Sequence, residues 1–167
     1  MSAPGVSETL RGGALLRAAF REHAAGVAVV TAARAGRPTG FTATSLSSVS
    51  AEPPVVSFGV GVGSSSWPVI AEAEHLAVHV LGAHQRELAE TFASKEVDRF
   101  AAPTSWRWGP HGVPVLDGVS AWLVCRVIAR VPVAGHRVVL AEVDDGRVRP
   151  GSRPLLYQQG RFRLLRD

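Results

Sequence analysis

A chain of 167 residues, 46% hydrophobic and only 19% charged, has the size and composition of one globular domain, and none of its apolar runs approaches the roughly 20 residues that a membrane-spanning helix needs. Its formal charge of +4 comes from arginines scattered singly, with Lys95 the one lysine; the lack of a basic block or basic–aromatic alternation disfavours nucleic acid and favours small anions such as nucleotides. A single cysteine, Cys125, excludes an internal disulfide, and an N-terminus with neither a basic start nor an apolar core argues against secretion, so a cytoplasmic protein is expected.

Residues 7–24 open with Ser7 as a cap and Glu8 in the first turn, and Leu15, Ala19 and Phe20 follow at helical spacing. This predicts a first helix, weakened by Gly12 and Gly13. The short β-branched run GVAVVTA (26–32), the turn residues of RAGRP and the returning stretch TGFTATSL predict a hairpin. Between residues 39 and 50, Thr39, Thr42, Thr44, Ser45, Ser47, Ser48 and Ser50 carry hydroxyls, while Phe41, Leu46 and Val49 interrupt them as in a strand. Such a row suits the polar edge of a ligand and equally suits an edge strand facing water.

PPVVSFGVGV predicts a strand, SSSWPVIAEAE a capped helix, HLAVHVLG a strand, and HQRELAETFASKEVDRFA a helix with Leu88 and Phe92 on one face. Residues 102–118, rich in Pro and Gly and holding two tryptophans, read as a loop. VSAWLVCRVIARVPVAG, HRVVLAEVDDGRV and PLLYQQGRFRLL then read as three strands, so strands dominate a single domain with about three flanking helices.

Several chemistries are weighed against these elements. GVGVGSSSW (59–67) lies between a strand and a helix like a dinucleotide-binding loop, but it lacks the third small residue, and the next strand ends without the acidic residue that grips a ribose. His75, His79 and His84 have no matching Cys or acidic ligand and are separated by strand alternation, so no metal site is expected. Cys125, inside an apolar strand, reads as an inert thiol. Ser64 or Ser66 before Pro68 forms a helix cap whose amides and hydroxyls suit a phosphate, an ordinary cap being the alternative.

In their order, GFTATSLSSVSAEPPVVSF, SSSWPVI, LAVHVL, AETFASKEVDRF and AGHRVVLAEV resemble the flavin reductase family across residues 20–157. The first resembles the family's flavin-holding strand and loop, the last its Gly-Asp-His segment near the nicotinamide. The resemblance implies a mainly β fold with flanking helices, an FMN-binding split β-barrel that dimerises, binds FMN or FAD and reduces it with NADH or NADPH. It further implies reduced flavin supplied to a separate monooxygenase, and a barrel-edge site built by short strands is expected to stay open, so that the supply is by diffusion.

By the same resemblance, Thr42, Thr44, Ser45, Ser47 and Ser48 meet the pyrimidine edge of the isoalloxazine, with Leu46 against the ring. Ser64 and Ser66 take the flavin phosphate together with Arg99, and His136 positions the nicotinamide or polarises its carboxamide. Trp67 reads as core or as a flank of the ribityl chain. Two positions depart from the family pattern: Ala134-Gly135-His136 lacks the usual acidic residue, and Ala25 stands where threonine is common. Two other readings stay open, a split-barrel FMN oxidase of the pyridoxamine-phosphate type and a non-enzymatic flavin- or nucleic-acid-binding β module.

Overall fold

The computed structural model describes residues 9–167; the expected cap at Ser7, with Glu8, lies outside them. Gly12, at φ 57°, turns the chain into helix α1 (Gly12–Glu22), so the glycines that weaken this helix mark its start. None of its residues is buried, and Leu15, Leu16 and Phe20 are exposed.

Strand β1 (Ala25–Gly26) is followed by the predicted hairpin, β2 (Ala28–Arg34) and β3 (Arg37–Ala43). Ala35 and Gly36 between them sit at φ 52° and 72°, a two-residue turn whose twist matches the strands it joins. Then come β4 (Ser47–Ala51), β5 (Pro54–Gly61), α2 (Trp67–Ile70), β6 (His75–Val80) and α3 (Arg86–Ala93). The chain ends with β7 (Trp106–Trp108), β8 (Pro114–Leu116), β9 (Ala121–Val133), β10 (His136–Val148), β11 (Leu155–Gln158) and β12 (Arg161–Leu164).

Four boundaries differ from expectation. The helix expected after Ser66 is a single turn, and α3 stops at Ala93 because no side chain beyond Phe92 reaches the core until Phe100. The expected loop 102–118 contains the β7–β8 hairpin. PLLYQQGRFRLL is two strands rather than one, folded about Gln159 and Gly160 at φ 52° and 71°.

Seven strands form one antiparallel sheet in the order β3-β2-β6-β9-β10-β5-β4, flanked by a three-stranded sheet β1-β11-β12. The two edge strands of the large sheet, β3 and β4, are neighbours in sequence, and Phe41 of β3 meets Phe58 of β5 at 6.1 Å between ring centroids. The sheet therefore curls into a barrel split between β3 and β4. Val30, Phe58, Leu76, Val78, Cys125 and Val139 fill its interior, and Trp67 packs against them as core. A second apolar layer, with Phe92, Leu81, Leu116 and Leu155, packs α3 on the outside. Gly40 makes this approach feasible: a Cβ there would stand 2.8 Å from the Val30 carbonyl and 2.9 Å from the Phe92 ring.

His79, fully buried in β6, is a structural histidine. Its Nδ1 donates to the Val29 carbonyl at 3.0 Å, and its Nε2 accepts the Leu116 amide at 3.0 Å. Burial, reinforced by the Arg107 charge and opposed by the Val29 bond, lowers its pKa to about 4, so the imidazole is neutral.

Candidate functional site

The β2–β3 ladder ends at Ala43 and the β4–β5 ladder begins at Ser47, so the backbone groups of residues 44–46 lie outside both. This crossing of the barrel split lines a groove of about 850 Å³ through Thr44, Ser45, Leu46 and Ser47. Its other walls are Arg17, Phe20 and Arg21 of α1 and the Tyr157–Gly160 turn. A second groove of about 670 Å³ shares Thr44, Tyr157 and Gly160 and continues past Thr42, Arg86, Glu90 and Arg161. Each has the volume of a small-molecule site.

The hydroxyls expected here divide by partner. Thr42 donates to the Ala89 carbonyl at 2.6 Å and ties α3 to β3; Ser45 accepts the Gly59 amide at 2.9 Å; Ser47 donates to the Ser48 carbonyl at 3.4 Å. Thr44 and Ser48 keep their hydroxyls without a protein partner among the described residues, and Leu46 leans on the barrel core. Four arginines and one glutamate border the two grooves. Arg86 is paired with Glu90 at 2.9 Å, while Arg17 and Arg161 have no carboxylate partner among the described residues. The excess positive charge suits an anionic ligand.

The phosphate position expected at the start of α2 lies apart from these two grooves, beside a smaller pocket of about 220 Å³ that Thr39, Ser65, Lys95 and Arg99 line. Ser66 is fully buried; its hydroxyl donates to the Gly40 carbonyl at 3.0 Å and accepts from Thr39 Oγ1 at 2.9 Å, leaving nothing to offer a phosphate. Ser64 Oγ accepts the Ser66 amide at 3.3 Å. Arg99 donates Nε to the Ser94 carbonyl at 2.9 Å and Nη1 to the Gly40 carbonyl. Burial holds its pKa below the usual guanidinium value. These three residues brace the β3–α2–α3 junction, and none lines the grooves that hold Thr44–Ser47. Arg99→Ala is accordingly expected to act first on the fold, lowering unfolding free energy by about 1–3 kcal/mol as two carbonyls lose a charged donor. Urea midpoints of the two proteins check this; an unchanged midpoint would return Arg99 to the ligand.

His136 opens β10 opposite Gly61 of β5, after a tight turn in which Ala134 takes φ 51°. Its imidazole is exposed and makes no hydrogen bond among the described residues. A Cβ on Gly61 would lie 3.7 Å from His136 Nε2, and one on Gly59 would lie 3.6 Å from Ser45 Oγ. Phe58 and Val60 point into the core, so Gly59 and Gly61 share the outer face. They leave a strip without side chains between Ser45 and His136, whose contact points are two residues apart along β5, about 7 Å. The alternating glycines of SFGVGVG carried this signal in the sequence; the walls from α1 and the β11–β12 turn carried none, because they join the site only through the fold.

Other chemistries fall away on geometry. All the strand pairs among the described residues are antiparallel, which is not a dinucleotide-binding sheet. Cys125 is buried, and its pKa is pushed up to about 12 by burial and then by the Asp144 charge, so its thiol is inert.

Residues 20–166 match the flavin reductase like domain. The chain is 44% identical to an NADH:FMN oxidoreductase of Rhodococcus erythropolis over 153 residues, covering 87% of this chain and 78% of that protein. It is 36% identical to the reductase component of a 4-nitrophenol 4-monooxygenase/4-nitrocatechol 2-monooxygenase of Rhodococcus opacus, covering 83% of this chain and 74% of that one. The crystal structure of a flavin reductase domain protein from Arthrobacter sp. superposes with a TM-score of 0.87 at 41% identity, over 92% of this chain and 95% of that chain. With the split barrel, the groove at its split and the order of the motifs in agreement, the chain belongs to the flavin reductase family.

Proposed function

We propose that this chain uses NADH or NADPH to reduce FMN or FAD and gives the reduced flavin by diffusion to a separate flavin-dependent monooxygenase. The observation that carries this reading is the strip at Gly59 and Gly61, bounded by Ser45 and His136 and next to the polar groove at residues 44–47. A flavin accepts a hydride at N5 and so supplies the redox chemistry; the chain supplies placement. The backbone of residues 44–46 and the hydroxyls of Thr44 and Ser48 meet the polar ring edge, and the glycine strip admits a flat ring face. Arg17 and Arg161 provide charge for a phosphate in place of Ser64, Ser66 and Arg99. His136 orients the nicotinamide at contact distance, which is the main demand of hydride transfer.

Release rather than retention of the product agrees with the shape of the site. An oxygenase must shield a reactive flavin–oxygen adduct from water, whereas both grooves here open to solvent. The Rhodococcus opacus relative, named as the reductase component of a monooxygenase, supports the same division of labour. The exposed Leu15, Leu16 and Phe20 of α1 and Val131 and Val133 of β9 support a homodimer that would wall the site further. No helix among the described residues is long and apolar enough to cross a membrane, and a reaction fed by NADH belongs in the cytoplasm.

The test is purified protein with NADH and an excess of FMN or FAD, followed at 340 nm. Many turnovers per chain are expected, as is product from an unrelated flavin-dependent monooxygenase held behind a dialysis membrane at low oxygen. His136→Ala should raise KM for the nicotinamide several-fold and leave flavin affinity unchanged. With oxygen excluded, NADH oxidation that stops at one equivalent per chain despite excess free flavin would make the flavin a resident group and overturn release; lost flavin affinity with normal nicotinamide kinetics would reverse the role of His136.

A further inference from the structure

Far from the flavin groove, three side chains from separate segments converge. His75 begins β6; His111 sits in the tight turn Pro110–Gly112 between β7 and β8; Asp144 lies within β10. One donor atom of each lies within 4.8 Å of the others. Asp144 Oδ2 stands 3.3 Å from His111 Nε2 and 3.9 Å from His75 Nε2, and the two imidazoles stack in parallel at 3.8 Å.

The backbone is irregular at two of these three positions. Asp144 is the extra residue of a bulge, where Val143 pairs with Cys125 and Asp145 with Val124, and such bulges re-aim a side chain. His111 takes φ 56°, a left-handed conformation that is uncommon for a residue with a Cβ. Both irregularities turn a ligand-type side chain toward the same point.

A single carboxylate faces both imidazoles. Despite the short distances, no hydrogen bond joins the three side chains. The neighbouring Arg126 is already paired with Glu142 at 3.4 Å. A cation held by both Nε2 lone pairs and the carboxylate satisfies all three groups.

We propose that His75, His111 and Asp144 bind one divalent cation of the zinc class, with water in the remaining position. Donors around a tetrahedral ion with bonds of about 2.0–2.1 Å lie about 3.3 Å apart. The His111–Asp144 spacing already meets this; His75 must close on Asp144 by about 0.6 Å, and the two rings, parallel within 1°, must rotate so that their Nε2 lone pairs converge on the ion. His75 is largely covered, whereas His111 and Asp144 are half-exposed, which gives the ion an entry path. The role is structural: the ion ties the 110–112 turn to β6 and β10. The flavin groove lies at the other end of β2, where Ala28 pairs with Ala43 and Val80, and none of the three ligands lines it.

The test uses the whole chain, stripped with a chelator and titrated with ZnCl2 by calorimetry, with Co2+ as a spectroscopic probe of coordination. Binding of one ion per chain, a melting temperature that rises with metal, and a visible Co2+ band of low-symmetry coordination are expected. Asp144→Asn and His111→Ala should each weaken binding at least tenfold, while His84→Ala, an exposed histidine elsewhere, should not. Failure of the wild type to bind zinc in a saturable way would overturn the proposal. Wild-type affinity retained in both ligand variants would overturn it too. Should a variant fold poorly, the Co2+ spectrum of the wild type decides, since a purely octahedral aquo spectrum means that no such site exists.

Discussion

Gly59→Val is expected to lower kcat/KM for flavin reduction about 100-fold while leaving the melting temperature within a few degrees of wild type. The two halves of this expectation come from the same geometry. A Cβ at position 59 would meet nothing closer than Ser45 Oγ at 3.6 Å, an ordinary contact, and a β-branched residue suits a strand better than glycine does. Packing within the chain therefore gives no reason for glycine here. The methyl groups of valine would instead rise from the outer face into the place proposed for the ring. Holding two stacked rings even 1 Å too far apart is enough for losses of this order, and 100-fold corresponds to about 2.7 kcal/mol. Gly61→Val should behave alike, because its Cβ would lie 3.7 Å from His136 Nε2.

Gly40→Val is the contrasting case. Its Cβ would stand 2.8 Å from the Val30 carbonyl and 2.9 Å from the Phe92 ring, so it should unfold the junction of β3 and α3 before any kinetic measurement is made. Steady-state kinetics with thermal melting on the three variants separates a ligand-facing glycine from a packing glycine. Normal kinetics in Gly59→Val would remove the strip from the site.

The contrast among these glycines also marks what the sequence could convey. The short apolar run of HLAVHVLG marks a strand buried on both faces, and the composition of the Ala35–Gly36 turn marks the hairpin; both elements form as expected. The strand break at Gln159 leaves little trace in the sequence, because glutamine seldom takes a left-handed φ and Gly160 is the one hint. Hydroxyl positions were legible, but their partners were not. Ser66 looks available in SSSWPVI, yet it is consumed by Gly40, whose own carbonyl position depends on Phe92 packing from a helix some fifty residues on. The His75–His111–Asp144 cluster was illegible for a related reason: a bulge rotates Asp144 out of the alternation that a sequence pattern assumes.

Acidification is expected to destabilise the protein through His79, by about 3 kcal/mol between pH 6.5 and pH 4. In the folded chain burial holds this imidazole neutral down to about pH 4, whereas in the unfolded chain it takes up a proton near 6.5. Between these values the unfolded state binds more protons. The stability is therefore complete above 6.5, falls by up to about 1.4 kcal/mol per pH unit below it, and is lost once the pH passes the folded value. The hydrogen bonds explain why the site cannot adapt. Nε2 is the acceptor for the Leu116 amide, so a proton there sets two donors against each other and puts a charge beside apolar Val29, Val78 and Leu116. The β8 strand that carries Leu116 is the part expected to detach first, and with it the turn bearing His111. His79→Gln should start about 1–3 kcal/mol less stable, since the Leu116 amide loses a well-placed acceptor, but its stability should vary less with pH across the same interval. Urea unfolding midpoints of both proteins at half-unit steps from pH 4 to 7 measure the difference in slope, and parallel curves would mean that the acid sensitivity arises elsewhere than at His79.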